Sequence, residues 1–174
     1  MHILLRPFTE PEYHQFFQGY EADPLMEPMP FVYNHESVSR SYHYNYHLRQ
    51  NYAHFGIFLS DGTPVGCFQL KRINSETRSC EFGIILQSAE VKGRGIGTEA
   101  VRQGMMIART EYGIETLLGD TSSSNIPMRR VFEKLGFHLV ERVEHAFRLV
   151  NGCEDDRLVY RISLKDGLHA MDNN

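Results

Sequence analysis

No apolar run in this 174-residue chain approaches the length needed to cross a bilayer, which excludes a membrane-spanning helix. The opening residues, MHILLRPFTEPEY, lack the long apolar core of a signal peptide. Cysteine is scarce. Cys67, Cys80 and Cys153 are odd in number and widely spaced, so they form neither a disulfide framework nor a zinc motif, and a reducing cytoplasm is the expected setting. Positive charge is not in excess either: 18 Lys and Arg against 22 Asp and Glu leave a formal net charge of -4. That balance implies no broad basic surface for nucleic acid. Internal repeats and low-complexity linkers are also lacking. What remains, 41% hydrophobic and 23% charged residues, suits one globular domain, taken as residues 1–166, followed by a mobile tail over 167–174.

The pattern along the chain is one of short alternating elements. HILLRPF reads as a strand. TEPEYHQFFQGY reads as a helix capped by Thr9, with Glu12 three residues on and Pro11 in the first turn. Residues 21–33, with three prolines, form an ordered loop, and residues 34–52 a second helix dense in Tyr and His. Two strands flank the turn at Asp61-Gly62, and TRSCEFGIIL adds a third. In that strand Cys80, Phe82, Ile84 and Leu86 share one face, and Ser79, Glu81, Gly83 and Ile85 the other. A helix follows with Val101, Met105, Ala108 and Tyr112 at helical spacing, then the strand IETLLGDT. Ser124, Asn125 and Pro127 mark the start of another helix, whose apolar stripe is Met128, Val131, Phe132 and Leu135 and which stops at Gly136. HLVERVEHAFRLV and DRLVYRISLK close the chain as a hairpin across NGCED. The expected fold is a layered α/β domain with a mixed sheet.

The stretch AEVKGRGIGTEAV sets Gly93, Gly95 and Gly97 on alternate positions between a strand and a helix. Backbone amides that converge at a helix N-terminus make an anion site, so this loop reads as a phosphate cradle. A Walker A loop requires Gly-Lys-Ser/Thr at its end, and this one ends Gly97-Thr98-Glu99. A dinucleotide fingerprint requires a glycine where Thr98 stands, and normally opens its domain. A coenzyme A pyrophosphate site is the third reading.

KGRGIG at 92–97 fits the pyrophosphate motif Gln/Arg-x-x-Gly-x-Gly/Ala except at Lys92, and SNIPMRRVFEKLGF matches a second signature, an Asn followed by a helix ending EKLGF. With these two motifs the sequence resembles the GNAT-superfamily N-acetyltransferases, over residues 2–165. It is most similar to the branch that includes ribosomal-protein N-terminal and spermidine acetyltransferases. The resemblance implies a mixed, mostly antiparallel central sheet flanked by helices, with acetyl-CoA as acyl donor and no metal. It further implies pyrophosphate contacts from Lys92, Gly93, Arg94, Gly95, Ile96, Gly97 and Thr98. A carbonyl-polarising N–H near Ile85 and Leu86 and a pantetheine contact from Asn125 are implied as well. Homodimers are common in that branch.

Transfer of an acetyl group to an amine needs a deprotonated nucleophile and a polarised carbonyl. Glu81, a carboxylate within a strand, is the candidate base; its bland alternative is a structural carboxylate paired with Arg or Lys. Phe132 stands where the family often has a Tyr that protonates the leaving thiolate, so here it reads as core, and Ser124, another Tyr, the ammonium or solvent must supply that proton. Asn125 has helix capping as its rival role. Arg130 and Lys134 reach the nucleotide phosphates or, alternatively, line a solvated face on which Arg129 pairs with Glu133. His43 and His47 lie one turn apart without a further ligand, which disfavours a metal. Cys80 sits on the core face and reads as inert. The reading is a cytoplasmic N-acetyltransferase acting by direct transfer on a protein N-terminus, polyamine or other small amine. An idle acyl-CoA-binding regulatory module is its rival.

Overall fold

The computed structural model describes residues 2–27, 29–149 and 152–165; the tail assigned to 167–174 lies outside them. A single seven-stranded sheet, in the order β1-β2-β3-β4-β5-β7-β6, runs through the molecule. Its strands are β1 (Ile3–Arg6), β2 (Ala53–Leu59), β3 (Pro64–Asn74), β4 (Ser79–Leu86), β5 (Thr116–Ser122), β6 (His138–Arg148) and β7 (Glu154–Ser163). Every neighbouring pair is antiparallel except β4 with β5, as the mixed, mostly antiparallel expectation required. The closing strand begins at Glu154, two residues earlier than the sequence pattern suggested, because Glu154 and Asp155 pair with Arg148 and Phe147.

Four α-helices cover the sheet: α1 (Glu10–Gln18), α2 (His35–His43), α3 (Ile96–Tyr112) and α4 (Ile126–Lys134). At the start of α1 and of α2 a backbone donor finds a side-chain acceptor. The Glu12 carboxylate accepts the Thr9 N–H at 2.9 Å, and Asn34 Oδ1 accepts the Ser37 N–H at 2.9 Å. Glu12 is also gripped by the Arg6 guanidinium at 2.6 Å, and that hydrogen bond holds its carboxyl down at about 2. No helix among the described residues is long and apolar enough to cross a membrane.

The expected helix over 34–52 is broken. After His43 the chain widens into a π-helical turn, Tyr44–Leu48, closed by the Arg49 N–H on the Tyr44 carbonyl at 2.9 Å, and the helix ends there. The wide turn swings Tyr46 inward. Its hydroxyl accepts the Phe8 N–H at 3.0 Å while Tyr42 donates to the Phe8 carbonyl at 3.2 Å, so two tyrosines hold the backbone of one residue in the β1–α1 connection.

Strand alternation divides the interior into two clusters. On one face Phe68, Leu70, Cys80, Phe82 and Leu117 pack against α3 and α4; on the other Phe8, Tyr13, Phe16, Val38, Phe58 and Cys67 pack under α1 and α2. Gly104 lets α3 lie directly on β3, since a Cβ there would stand 2.1–2.8 Å from the Phe68 ring. The second face also holds His54, which is buried with neither ring nitrogen partnered among the described residues. Tyr46 stacks on it at 5.5 Å, and burial, aided by the charge of Arg49, pushes its pKa down to about 4.

Two outcomes follow for stability. Overpacking at Gly104 costs about 1–3 kcal/mol, against roughly 1 kcal/mol regained in helix propensity, so Gly104→Ala should lower the denaturant midpoint; an unchanged midpoint would mean the Phe68 ring yields freely. His54 stays neutral in the fold, while in the unfolded chain it takes up a proton near pH 6.5. The unfolded state therefore binds more protons between roughly pH 6.5 and 4, and stability falls as pH drops through that window. His54→Phe should shrink the difference in melting temperature between pH 7 and pH 4, and an undiminished difference would assign the acid sensitivity elsewhere.

Candidate active site

The site grows from a failure of pairing. Strands β4 and β5 are in register at Ser79↔Thr116, Cys80↔Leu117 and Glu81↔Leu118, and the ladder stops there although β4 runs on to Leu86 and β5 to Ser122. Beyond Glu81 the two strands part as the arms of a fork. The Gln87 N–H points to β3, where it meets the Val65 carbonyl at 2.9 Å, and the Arg78 carbonyl points to β5, where it accepts the Thr116 N–H at 3.1 Å. Alternation along the strand edge then directs Ile85 to β3 and turns the amides of Ile84 and Leu86, beyond the last ladder pair, into the gap. Of the expected pair, Leu86 thus faces the gap and the Ile85 amide is committed to the sheet.

At the open end of β4 lies the glycine loop. Gly93 and Gly95 have φ of 73° and 81°, a left-handed backbone that a side chain would strain, and a Cβ on either would meet open space. Gly95 is the N-cap of α3 and no side chain caps this end; the first turn closes only with the Glu99 N–H on the Gly95 carbonyl at 3.0 Å. The preceding amides, of Ile96, Gly97 and Thr98, have no hydrogen-bond acceptor among the described residues, and the positive end of a 17-residue helix lies behind them. The Ile96 side chain is buried in the core, so only its backbone serves the loop, while Arg94 is exposed. Open space, free amides and left-handed glycines fit a pyrophosphate. Lys92 points elsewhere, its Nζ 2.7 Å from Asp23 Oδ2.

Glu81 marks the crotch of the fork, on the face away from α3. Its side chain is 26% exposed, and Oε1 lies 2.6 Å from Arg72 Nη1 of β3, so the carboxylate has the cationic partner that its structural alternative anticipates. Arg72 is exposed and takes a left-handed φ of 52° at an irregularity in the β3–β4 register. An ion pair this open contributes about 0–1 kcal/mol, so the fold does not depend on it.

Asn125 is the N-cap of α4: its Oδ1 accepts the Met128 N–H at 3.2 Å, which is the capping role, and its amide NH2 remains. Arg130 and Lys134 are exposed. The pairing of Arg129 with Glu133 does not form; Arg129 turns back and donates to the Ser123 carbonyl at 3.1 Å, a partly buried acceptor nearer than the exposed carboxylate. Ser123 and the Ser124 N–H both bond Asp155, whose carboxyl is held at about 2 by these hydrogen bonds against the opposing effect of its burial. Phe132 is fully buried and stacks on Tyr160 at 4.3 Å, as its core reading requires. Cys80 is buried and its thiol is pushed up to about 12, so it is no nucleophile at neutral pH. His43 and His47 face each other at 5.1 Å, and among the described residues no group of three His, Cys, Asp or Glu is placed to hold a metal.

Sequence reasoning missed the strap across the fork. Gln87, immediately after β4, accepts the Glu21 N–H on its carbonyl at 2.7 Å; Ser122, at the end of β5, donates its hydroxyl to the Leu25 carbonyl at 2.8 Å. The acidic run EADPLMEP, residues 21–28, reads from sequence as attractive to a cationic acceptor or as simply solvated, and neither reading reveals that this segment is bonded to both arms.

The comparisons agree with this geometry. Residues 2–138 match the model of the acetyltransferase (GNAT) domain. Spermidine N(1)-acetyltransferase of Escherichia coli K12 is 28% identical over 109 residues, and a probable N-acetyltransferase, YjcK, of Bacillus subtilis 33% over 111. These matches take in 63% of this chain but only 58% and 60% of those relatives, less than two thirds of their length. Among solved structures, a chimera of the Vibrio cholerae spermidine N-acetyltransferase SpeG with hSSAT superposes with a TM-score of 0.83 at 18% identity, covering 100% of both chains. A dodecameric spermidine N-acetyltransferase from Vibrio cholerae superposes at 0.73 with 20% identity, over 92% of this chain and 93% of that one. Such low identities speak for the fold alone. The forked sheet, the glycine loop at its mouth and the family match over residues 2–138 place this chain in the GNAT acetyltransferase domain family.

Proposed function

We propose that this protein is an acetyl-CoA-dependent N-acetyltransferase that moves an acetyl group directly to a primary amine. The observation that carries the reading is the fork. An open strand edge offers the Leu86 amide to a carbonyl, and at the same end of β4 the left-handed glycines and unpaired amides of α3 offer themselves to a pyrophosphate. Bound acetyl-CoA supplies the activated thioester; the chain supplies position and charge. Gly93, Arg94, Gly95, Ile96, Gly97 and Thr98 hold the phosphates through their main chain, and the Asn125 amide meets the pantetheine arm. The Leu86 N–H stabilises the negative charge that develops on the carbonyl oxygen. Glu81 at the crotch, reached directly or through water, takes the proton that the acceptor ammonium must lose before it can attack. With Phe132 buried and lacking a hydroxyl, the thiolate leaves without a phenol from α4; a thiolate of ordinary pKa near 8–9 needs little help.

Among amines, a polyamine is the preferred acceptor, supported by the spermidine acetyltransferases among the relatives. The idle acyl-CoA-binding module rests on that missing hydroxyl alone, and Glu81 at the crotch weighs against it.

Thiol release from acetyl-CoA, followed over spermidine, other amines and short peptides, tests the reading: wild type should release thiol with at least one amine, and none with any would favour the idle module. Glu81→Gln should lower kcat/KM by about 10²–10⁴-fold, the range typical of a lost general base. The loss should be steepest at low pH, with acetyl-CoA affinity retained. Unchanged turnover would leave Glu81 as the structural partner of Arg72.

A further inference from the structure

The connection from α1 to α2 is fastened to both arms of the fork. On the β4 arm the Glu21 N–H bonds the Gln87 carbonyl at 2.7 Å, and Gln87 Nε2 returns to the Phe16 carbonyl at 2.8 Å. The β5 arm holds it through Ser122 Oγ on the Leu25 carbonyl at 2.8 Å. Between these fastenings sits Asp23. Its Oδ1 accepts the Leu25 N–H at 3.0 Å and shapes the turn, while its Oδ2 lies 2.7 Å from Lys92 Nζ. Lys92 is the first residue of the glycine loop, so one ion pair joins the coenzyme side of the fork to the strap on its other side. Neither partner is deeply buried, with side chains 37% and 26% exposed, so the pair can open without stranding a charge.

A pyrophosphate seated on Gly93–Thr98 brings charged oxygens to the root of the Lys92 side chain, and a multiply charged phosphate outcompetes one half-open carboxylate for an ammonium. The exchange leaves Asp23 Oδ2 without its cation at the mouth of the fork. Its natural replacement is an ammonium on the acceptor. That ammonium is not the reacting one, because the attacking nitrogen must be neutral; it is a second charge on the same molecule.

We propose that Asp23 anchors a second ammonium of the acceptor and that Lys92 masks it until coenzyme phosphate draws the lysine away. The inference rests on the N-acetyltransferase reading above and narrows its substrate class to amines with at least two cationic centres. Donor binding then precedes and strengthens acceptor binding, and by linkage the acceptor strengthens donor binding by the same factor.

Calorimetric titration with CoA and with spermidine as the probe amine tests this. Saturating CoA should tighten spermidine binding to wild type at least tenfold. Asp23→Asn, which keeps an oxygen for the Leu25 N–H, should lose that tightening and should bind CoA alone several-fold more tightly, its lysine being free. Lys92→Met should weaken CoA binding several-fold and bind spermidine without CoA as wild type does with it. Thermal melts of both variants check that the fold is intact, and either variant suffices if the other unfolds. Equal CoA affinity in wild type and Asp23→Asn, or coupling that survives in either variant, overturns the proposal. The CoA titration does not depend on any amine being acetylated, so it stands or falls separately from the thiol-release assay that tests the function.

Discussion

The parting of β4 from β5 after Glu81 and Leu118 is the constraint on which the rest of this molecule depends. Adjacent strands gain by staying paired, since unpaired amides away from water are costly. Here packing and hydrogen bonds accompany the separation. On the core face Gly119 leaves room that the Phe82 and Phe132 rings take up; a Cβ at Gly119 would meet them at 2.4–2.9 Å. Phe132 is locked in turn by its stack on Tyr160 of β7. At the open end the strap between α1 and α2 bonds each arm separately, through Gln87 and Ser122. Beyond Leu118, β5 keeps its other partner, pairing with β7 as far as Ser122↔Arg157, so the arm stays a strand without β4.

The chemistry is distributed by strand alternation. One face of β4 is apolar and fixes α3 and α4, and with them the glycine loop and Asn125. The opposite face carries Glu81 toward Arg72 and lies on the side covered by α1 and α2, whose aromatic packing holds Tyr46 over His54. The proposed function puts donor and acceptor on opposite sides of this strand, meeting at its open edge. Phe132 belongs to the first face only. A residue that stacks inside the core stabilises the fork and has no hydroxyl to give to the reaction.

Much of this was legible in the chain because it depends on neighbours. Helix caps at Thr9 and Asn125, the glycine loop and the stripe through Phe132 are set within one or two turns, by backbone donors and side-chain period. The two faces of β4 followed from alternation alone. Two local readings failed for equally local reasons of competition. The helix from 34 widened at Tyr44 because tertiary partners claimed Tyr42 and Tyr46, and Arg129 left Glu133 for a backbone carbonyl.

By itself, then, the sequence determined most of the elements, their faces and the glycine turn before α3, since each arises from contacts a few residues long. The fork, the partner of Glu81 and the pairing of Lys92 with Asp23 were decided by the tertiary structure. Register between β4 and β5 reflects how far two strands can stay together before side chains and a distant loop pull them apart. Lys92 and Asp23 stand 69 residues apart, and only the folded sheet brings their charges to 2.7 Å.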